Sequence, residues 1–243
     1  MTAISLQGLT KRFGKRMAVD GLDLDIEKGE LFALLGANGA GKTTTIRMLC
    51  GLCEPDAGDA VLLSKSIKKD TEAVKEMINV SPQETAVAPN LTTEENLELM
   101  ARIYGASKDK ARNHAREMLE RFDLASRTHD RAKKLSGGMQ RRLSIAMALI
   151  SEPKILFLDE PTLGLDVRAR RELWKALEAL KGDITVVLTT HYLEEAEALA
   201  DRIAIMDKGK LAALGTAEEL KKRTGKASLE DVFLELTEGG EEK

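Results

Sequence analysis

Residues 36–43 read Gly36-Ala-Asn-Gly-Ala-Gly41-Lys42-Thr43, which is the pattern G-x-x-x-x-G-K-[ST]. Residues 31–35 before this stretch form a short apolar run that predicts a buried strand, and residues 44–50 after it predict a helix. Glycines leave backbone N–H groups free to point at phosphate oxygens, and the following helix adds the positive end of its dipole. A chance glycine turn does not need such flanks, so the stretch predicts a phosphate-binding loop.

Two side chains at the end of this loop are suited to a nucleotide. The Lys42 ammonium can reach the outer phosphates, and the Thr43 hydroxyl can bind Mg²⁺. This segment alone therefore predicts nucleotide binding.

Length and composition fit one large α/β domain or two small ones, because the 243 residues are 43% hydrophobic. The net charge is −3 and no basic block stands out, so no nucleic-acid partner is expected. No apolar stretch approaches the roughly 20 residues that span a bilayer. The first residues lack a basic region followed by an apolar core, so we expect a cytoplasmic protein and no secretory signal.

The two cysteines, Cys50 and Cys53, have C-x-x-C spacing. A redox or metal site is one interpretation, but there is no second cysteine pair and the histidines are distant in sequence. The favoured interpretation is that both are small buried hydrophobic residues, and no disulfide is expected.

Hydrophobic patterning predicts an α/β chain with a helical insertion. Strands are predicted at residues 4–9, 22–26, 61–63 and 78–80, and residues 92–124 show helical spacing, with Thr92 or Thr93 as cap and a second helix at 108–122. Further strands are predicted at 155–158 and 184–188, helices at 168–180 and 193–200, and a hairpin at 202–214. Helices are also predicted from Thr216 and at 229–236, and residues 239–243 are expected to be disordered.

Asp159 and Glu160 follow the apolar run at residues 155–158. Ligands in open α/β sheets lie beyond the carboxyl ends of strands, so Asp159 is predicted to hold Mg²⁺ beside the loop. Glu160 can polarise a water molecule for attack on the γ-phosphate. For Glu160, the residues alone leave open that it only caps the turn before Pro161.

Ser136-Gly137-Gly138-Met139 begins a long helix that runs through Ala148. Ser136 suits the N-cap, and the glycines expose N–H groups at the positive end of the helix dipole. This is a second candidate anion-binding helix terminus, although on its own the stretch is better explained as an ordinary helix cap.

Taken together, the motifs resemble the nucleotide-binding domain of ATP-binding cassette (ABC) transporters. The resemblance covers about residues 3–215 and depends on their order along the chain: the phosphate loop, Gln83, Leu135-Ser136-Gly137-Gly138, the run ending in Asp159-Glu160, Gly164-Leu165-Asp166, and His191. It implies a P-loop NTPase (RecA-like) core with an N-terminal antiparallel β subdomain and an inserted helical subdomain. The chain would be one domain, with its core at 1–83 and 151–217, the helical subdomain at 84–150 and a C-terminal helical extension at 218–243.

The resemblance also implies residue roles. ATP would be bound by Phe13, Gly36, Asn38, Gly39, Ala40, Gly41, Lys42, Thr43, Thr44 and Gln83, and Mg²⁺ by Thr43, Gln83 and Asp159. Phe13 would stack on adenine, although an ordinary packed aromatic residue is the alternative. Glu160 would be the catalytic base, assisted by Lys42 and His191. A satisfied structural histidine is the alternative for His191.

Two domains pack head to tail in this family. Ser136, Gly137 and Gly138 would therefore complete the ATP site of a partner, and Asp166 would lie at the dimer interface. A homodimer or pairing with a related ATPase chain is implied. Met139 stands where the family commonly has Gln, so one contact to nucleotide would be lost or replaced.

The sequence around Ser136 and residues 228–233 resemble the ATPase subunits of ABC-2-type exporters. That resemblance implies a separate transmembrane permease and a place on the cytoplasmic face of the membrane. A soluble ABC ATPase is the alternative, but it often carries a second cassette, a coiled coil or a basic extension, which this chain lacks. A regulator that binds ATP without turnover is disfavoured because Lys42, Asp159, Glu160 and His191 are intact.

Overall fold

The computed structural model describes residues 1–238, which form two sheets and their surrounding helices. The strands are β1 (Thr2–Phe13), β2 (Arg16–Glu27), β3 (Leu31–Leu35), β4 (Ala57–Leu62), β5 (Lys65–Ser66), β6 (Ile78–Ser81), β7 (Ile155–Asp159), β8 (Thr185–Thr190), β9 (Arg202–Asp207) and β10 (Lys210–Gly215). The helices are α1 (Lys42–Leu49), α2 (Thr71–Met77), α3 (Thr93–Ile103), α4 (Lys108–Arg121), α5 (Gly137–Leu149), α6 (Val167–Glu178), α7 (Leu193–Leu199), α8 (Ala217–Thr224) and α9 (Leu229–Glu238).

The larger sheet has the order β10-β9-β3-β8-β7-β6, and its strands are parallel except for β10, which is antiparallel to β9. Every residue of β3, β7 and β8 is buried, which explains the apolar runs at Leu31–Leu35, 155–158 and 186–188. Leu35 pairs with Thr190, and Asp159 pairs with Thr189. The carboxyl ends of three neighbouring strands therefore meet at one edge, directly beside the predicted phosphate loop.

The smaller sheet has the order β2-β1-β4-β5 and is antiparallel throughout. It packs on one face of the larger sheet, because Ile4 and Leu9 of β1 share a core with Phe32 of β3. Leu31 and Leu35 point to the opposite core, beneath the helices. The expected α/β fold with an N-terminal antiparallel β unit is confirmed.

Helices α3, α4 and α5 follow the predicted positions. Thr92 is the N-cap of α3 and forms a capping box with Glu95, as the pattern predicts. Leu97, Leu119 and Leu143, one from each helix, lie in the same core. Because α5 is buried along most of its length and also contacts β6, β7 and α6, it joins the helical segment to the sheet. The division into subdomains stays a prediction.

Some features differ from the sequence expectations. The short elements α2 and β5 were not predicted, because α2 buries Val74 but carries no long apolar stripe. Leu63 was expected in a strand but adopts a left-handed φ of 47° just beyond β4. Cys50 is buried as predicted, whereas the expectation for Cys53 is wrong: it lies half-buried past the end of α1, and both thiols are free.

The C-terminal helices pack on the core. Thr216 and Glu219 form a capping box at the start of α8, and Leu229 and Val232 of α9 are buried. Residues 239–243, expected to be disordered, lie outside the described part of the chain. None of the helices within residues 1–238 combines the length and hydrophobicity needed to cross a membrane.

Candidate functional site

The loop between β3 and α1 is held in shape by close backbone packing. Gly36 N donates to Thr190 O at 3.3 Å, at the end of the neighbouring strand. A Cβ at Gly36 would lie 2.5 Å from Met206 O, and one at Gly41 would lie 2.5 Å from Ala18 O. Gly41 also has a φ of +106°, which L side chains rarely adopt. Both glycines are therefore required for the shape of the loop.

Lys42 is the first residue of α1, and only 4% of its surface is exposed. Its Nζ donates to Gly36 O at 2.7 Å and to Ala37 O at 3.2 Å, and lies 3.8 Å from Glu160 Oε1. Burial lowers the pKa of Lys42, while the nearby carboxylates of Glu160 and Asp159 oppose that shift. The ammonium is thus held inside the loop, on the side facing Glu160.

Asp159 is fixed by two hydroxyl groups. Thr43 Oγ1 donates to Asp159 Oδ1 at 3.0 Å, and Thr189 Oγ1 donates to the same oxygen at 2.5 Å. The Thr189 hydroxyl also accepts from Glu160 N at 3.0 Å. Sequence analysis did not identify Thr189; the available signal was a threonine at the end of a buried apolar strand. Its hydroxyl thus holds the Asp159 carboxylate and the Glu160 backbone at the sheet edge.

Glu160 lies between two other predicted site residues. Its Oε1 is 3.3 Å from His191 Nδ1 as well as 3.8 Å from Lys42 Nζ. The backbone of Glu160 has a φ of +44°, an uncommon conformation for a residue with a side chain, and such strain is concentrated at functional sites. The fold therefore brings together the three residues that were predicted to be catalytic.

A cavity of about 550 Å³ opens above the loop. It is lined by Phe13, Arg16, Ala18, Asn38, Gly39, Gly41, Lys42, Thr43, Thr44, Gln83, Glu160, Leu163 and His191. Three of the predicted residues, Gly36, Ala40 and Asp159, lie beneath this wall and are buried. The cavity is large enough for a nucleotide and has polar groups at one end.

Part of the cavity wall is formed by β1 and β2. Phe13, the last residue of β1, has 52% of its surface exposed and lines the cavity. Lys11 Nζ lies 5.6 Å from the centre of the Phe13 ring. Arg16, which the sequence analysis missed because it lies in no motif, donates from Nη2 to Gly39 O at 3.0 Å. An aromatic ring and an arginine thus form part of the cavity wall.

Arg141 is a second residue that the sequence analysis missed. It lies on α5 with 3% of its surface exposed, and it donates to Asp159 O and Pro161 O, each at 2.9 Å. It also donates to the carbonyl groups of Pro82 and, at 3.5 Å, Gln83. Burial lowers the pKa of Arg141 to about 10. The available signal was an arginine on a helix with a long apolar stretch, and Arg141 ties the Gln83 segment to the end of β7.

The Ser136 region lies apart from this cavity. Ser136 Oγ is the N-cap of α5 and accepts from Met139 N at 3.3 Å, and Asp166 is the N-cap of α6. These two residues and Gly138 line a separate cleft of about 220 Å³ that shares no lining residue with the larger cavity. Gly137, next to this cleft, has open space where a Cβ would be. The two predicted anion-binding helix termini of one chain therefore serve different clefts.

The oxygen donors beside the loop fit a magnesium ion. Mg²⁺ prefers oxygen ligands and is commonly held by one or two carboxylates together with substrate phosphates. Thr43 Oγ1 and Asp159 Oδ1 are 3.0 Å apart, and Gln83 faces the same cavity. These three side chains can therefore supply oxygen ligands of the kind that Mg²⁺ prefers.

Comparison with known proteins identifies a family. The family model for ABC transporters matches residues 19–163. The daunorubicin resistance ATP-binding protein DrrA3 of Streptomyces coeruleorubidus is 45% identical to this chain, covering 98% of it and 76% of the relative. The linearmycin resistance ATP-binding protein LnrL of Bacillus subtilis (strain 168) is 40% identical, covering 98% of this chain and 75% of its own length.

Solved structures have the same fold. An ATP-binding subunit of an ABC transporter superposes with a TM-score of 0.84 at 30% identity, covering 97% of this chain and 99% of the other. A dimeric ATP-binding cassette in a post-hydrolysis state with ADP and Pi superposes with a TM-score of 0.77 at 27% identity. The match covers 88% of this chain and 98% of the other.

Proposed function

The chain belongs to the ABC transporter family as an ATP-hydrolysing subunit, and from this premise we propose that it powers an exporter whose membrane-spanning permease is a separate chain. The relatives named as resistance ATP-binding proteins support the outward direction of transport. In this proposal the chain works on the cytoplasmic face of the membrane, attached to the permease.

The position of Glu160 is the observation that carries the hydrolytic part of the proposal. Its carboxylate lies within 3.8 Å of Lys42 Nζ and 3.3 Å of His191 Nδ1, at the edge of the cavity. We assign Glu160 as the base that takes a proton from the attacking water. Lys42 would hold the outer phosphate, and His191 would orient Glu160 and contact the γ-phosphate.

The rest of the cavity suits ATP. The N–H groups of the loop and the α1 dipole would hold the phosphates, and the exposed ring of Phe13 would stack on adenine. Thr43, Asp159 and Gln83 would hold Mg²⁺, which when bound neutralises charge on the β- and γ-phosphates.

We further propose that two copies, or this chain and a related one, bind ATP head to tail. The separate cleft of Ser136, Gly138 and Asp166 supports this arrangement, because those residues do not reach the cavity of their own chain. Met139 replaces the common Gln, and the following Gln140 is used elsewhere: its Nε2 donates to Ala132 O at 3.1 Å and Leu135 O at 3.2 Å. In this chain the trans contacts would therefore come from Ser136 and the helix terminus.

The permease is proposed to dock on the helical segment. An open cleft of about 480 Å³ is lined by Leu91, Glu95, Glu98, Leu99, Arg102 and Ile103. Leu99 and Ile103 are 45% and 65% exposed, and Tyr104 beside them is 51% exposed. Exposed apolar side chains with charged neighbours are typical of a protein-binding surface.

The solution mass of a Glu160→Gln variant, with and without Mg-ATP, tests the head-to-tail proposal. Loss of the base should preserve the ATP-bound state, so we expect a shift from monomer to dimer only with Mg-ATP. Adding Ser136→Arg to this variant should abolish the shift, because a bulky cation would block the helix terminus. A Glu160→Gln protein that binds ATP but stays monomeric would contradict dimerisation by this chain alone.

A further inference from the structure

Glu195 is a buried carboxyl group to which the proposed hydrolysis assigns no role. It has no exposed surface and lies in the first turn of α7, which begins at Leu193, just after His191. Glutamate is rarely this buried unless it is paired. Its surroundings therefore need an explanation.

Hydrogen-bond donors from three elements surround this carboxyl group. Trp174 Nε1 of α6 donates to Glu195 Oε1 at 3.4 Å. The Thr190 hydroxyl at the end of β8 and the Thr162 hydroxyl, two residues after Glu160, also favour its charged form, although the Thr162 hydroxyl forms no hydrogen bond of normal geometry. Burial is the larger influence and raises the pKa of Glu195. The side chain thus lies beside the segment that follows Glu160 and beside the residue that precedes His191.

Two arginines, the buried Arg141 and the half-buried Arg170, supply positive charge near Glu195. Arg170 of α6 favours the charged carboxylate, and Glu195 in turn favours the charged form of Arg141. Arg170 Nη1 also donates to Glu194 Oε2 at 3.3 Å, and its guanidinium lies 5.3 Å from the centre of the Tyr192 ring. Helix α6, whose N-cap is Asp166, is therefore attached to the segment that follows His191.

The cluster is incompletely bonded. Glu195 Oε2, Thr162 Oγ1 and Arg170 Nε are buried, and none of them has a hydrogen-bond partner among residues 1–238. Buried polar atoms without partners are costly, so a small shift of α6 against α7 that pairs them would be favourable.

We propose that Glu195 is a positioning residue for hydrolysis, whose carboxylate holds the His191 segment against α6, the helix capped by Asp166. Asp166 lines the cleft beside Ser136, which is proposed to face a partner chain, and His191 lines the larger cavity. Glu195 would therefore link that cleft to the predicted base. This inference rests on the proposed ATPase function. It assigns Glu195 an effect on turnover but none on nucleotide affinity.

Steady-state ATPase kinetics of the full chain test the proposal. Glu195→Gln keeps the size of the side chain but places an amide among donors, so we expect kcat to fall about 10- to 100-fold, the range for misplaced catalytic groups. The Kd for ATP should stay within about twofold of wild type. The matched control is Glu197→Gln on the same helix, whose exposed carboxylate pairs with Lys221 at 2.5 Å and which should keep its kcat.

Trp174 supplies a second measurement because it is the one tryptophan of the chain. Mg-ATP should change its emission in a Glu160→Gln background, and adding Glu195→Gln should remove that response while ATP still binds. Trp174→Phe, which keeps the Glu195 charge, should lower kcat less than Glu195→Gln.

Separate results would overturn the inference and the proposed function. A Glu195→Gln kcat within twofold of wild type, or a rise in Kd that matches the fall in kcat, would overturn the inference. Trp174 emission that ATP leaves unchanged would do the same. A wild-type chain that binds ATP without hydrolysing it would instead contradict the proposed function. If Glu195→Gln fails to fold, the kcat of Trp174→Phe decides: an unchanged value overturns the inference.

Discussion

The hydroxyl of Thr189 donates to Asp159 Oδ1 at 2.5 Å across the β7–β8 pair. The same oxygen of Thr189 accepts from Glu160 N at 3.0 Å, so one side chain fixes the orientation of both acidic residues. This contact depends on strand register, because Asp159 and Thr189 are directly paired in the parallel sheet.

Replacing Thr189 with Val should lower ATP turnover and stability together. The change leaves Glu160 N without its acceptor and Asp159 Oδ1 without one donor, for which we expect a loss of about 1–3 kcal/mol in the free energy of unfolding. Urea denaturation and ATPase kinetics measure the two effects. Thr185→Val is the matched control: Thr185 is a buried residue of the same strand that accepts from Gly29 N at 3.0 Å, far from the site. It should lose stability but keep kcat.

Glu160→Gln should reduce kcat by about 10²–10⁴-fold, the range for removing a general base. ATP affinity should be retained, because Lys42 and the loop are unchanged. Single-turnover ATPase assays and equilibrium ATP binding check the two parts. Glu120→Gln on the exposed side of α4 serves as the surface control, and wild-type turnover in Glu160→Gln would exclude Glu160 as the base.

Lys42→Ala should weaken ATP binding by about 10- to 100-fold, since hydrogen bonds to charged groups contribute about 1.5–3 kcal/mol. The ammonium lies at the loop, where no other described lysine lines the cavity. Isothermal titration with ATP gives the affinity, and Lys69→Ala on the exposed surface is the control. Equal affinities for wild type and Lys42→Ala would contradict the assignment of the phosphate loop.

Glu195 should make stability depend on pH. Because its pKa is raised above the usual 4.5, the native state holds this proton more tightly than the unfolded chain does. The contribution of Glu195 to the free energy of unfolding therefore falls as the pH rises from about 4.5 to the native pKa. A glutamine at this position does not titrate. The free energy of unfolding of Glu195→Gln, measured relative to wild type, should therefore rise by up to about 1.4 kcal/mol per pH unit in that window. Urea denaturation at pH 5.0 and 7.5 measures the change, and a constant difference would contradict it.

The two cysteines should differ in reactivity. Burial raises the pKa of Cys50 to about 12, and 5% of its surface is exposed, whereas Cys53 is half-buried in a loop. Because the thiolate is the reactive form, iodoacetamide at pH 8 should alkylate Cys53 and leave Cys50 unmodified in the native state. Peptide mass spectrometry after brief labelling checks this, with the unfolded protein, in which both should react, as the control.

Sequence reasoning was most successful where a local pattern carries the information. The apolar run at Leu31–Leu35 became β3 with those same bounds, and Ser136 and Thr92 cap the predicted helices. It missed Thr189, Arg141 and Glu195, because the partners of each lie on other elements, such as Asp159 for Thr189 and Trp174 for Glu195. Their contacts depend on how strands align and how helices cross, which no local pattern records.

The sequence by itself determined the phosphate loop, the alternation of strands and helices, and the family to which the chain belongs, because glycine spacing and hydrophobic periodicity are local properties of the backbone. Only the tertiary structure decided that Lys42, Glu160 and His191 meet in one cavity while Ser136 and Asp166 line another cleft. The physical reason is the parallel sheet, whose register aligns the carboxyl ends of β3, β7 and β8 at one edge while α5 and α6 begin elsewhere.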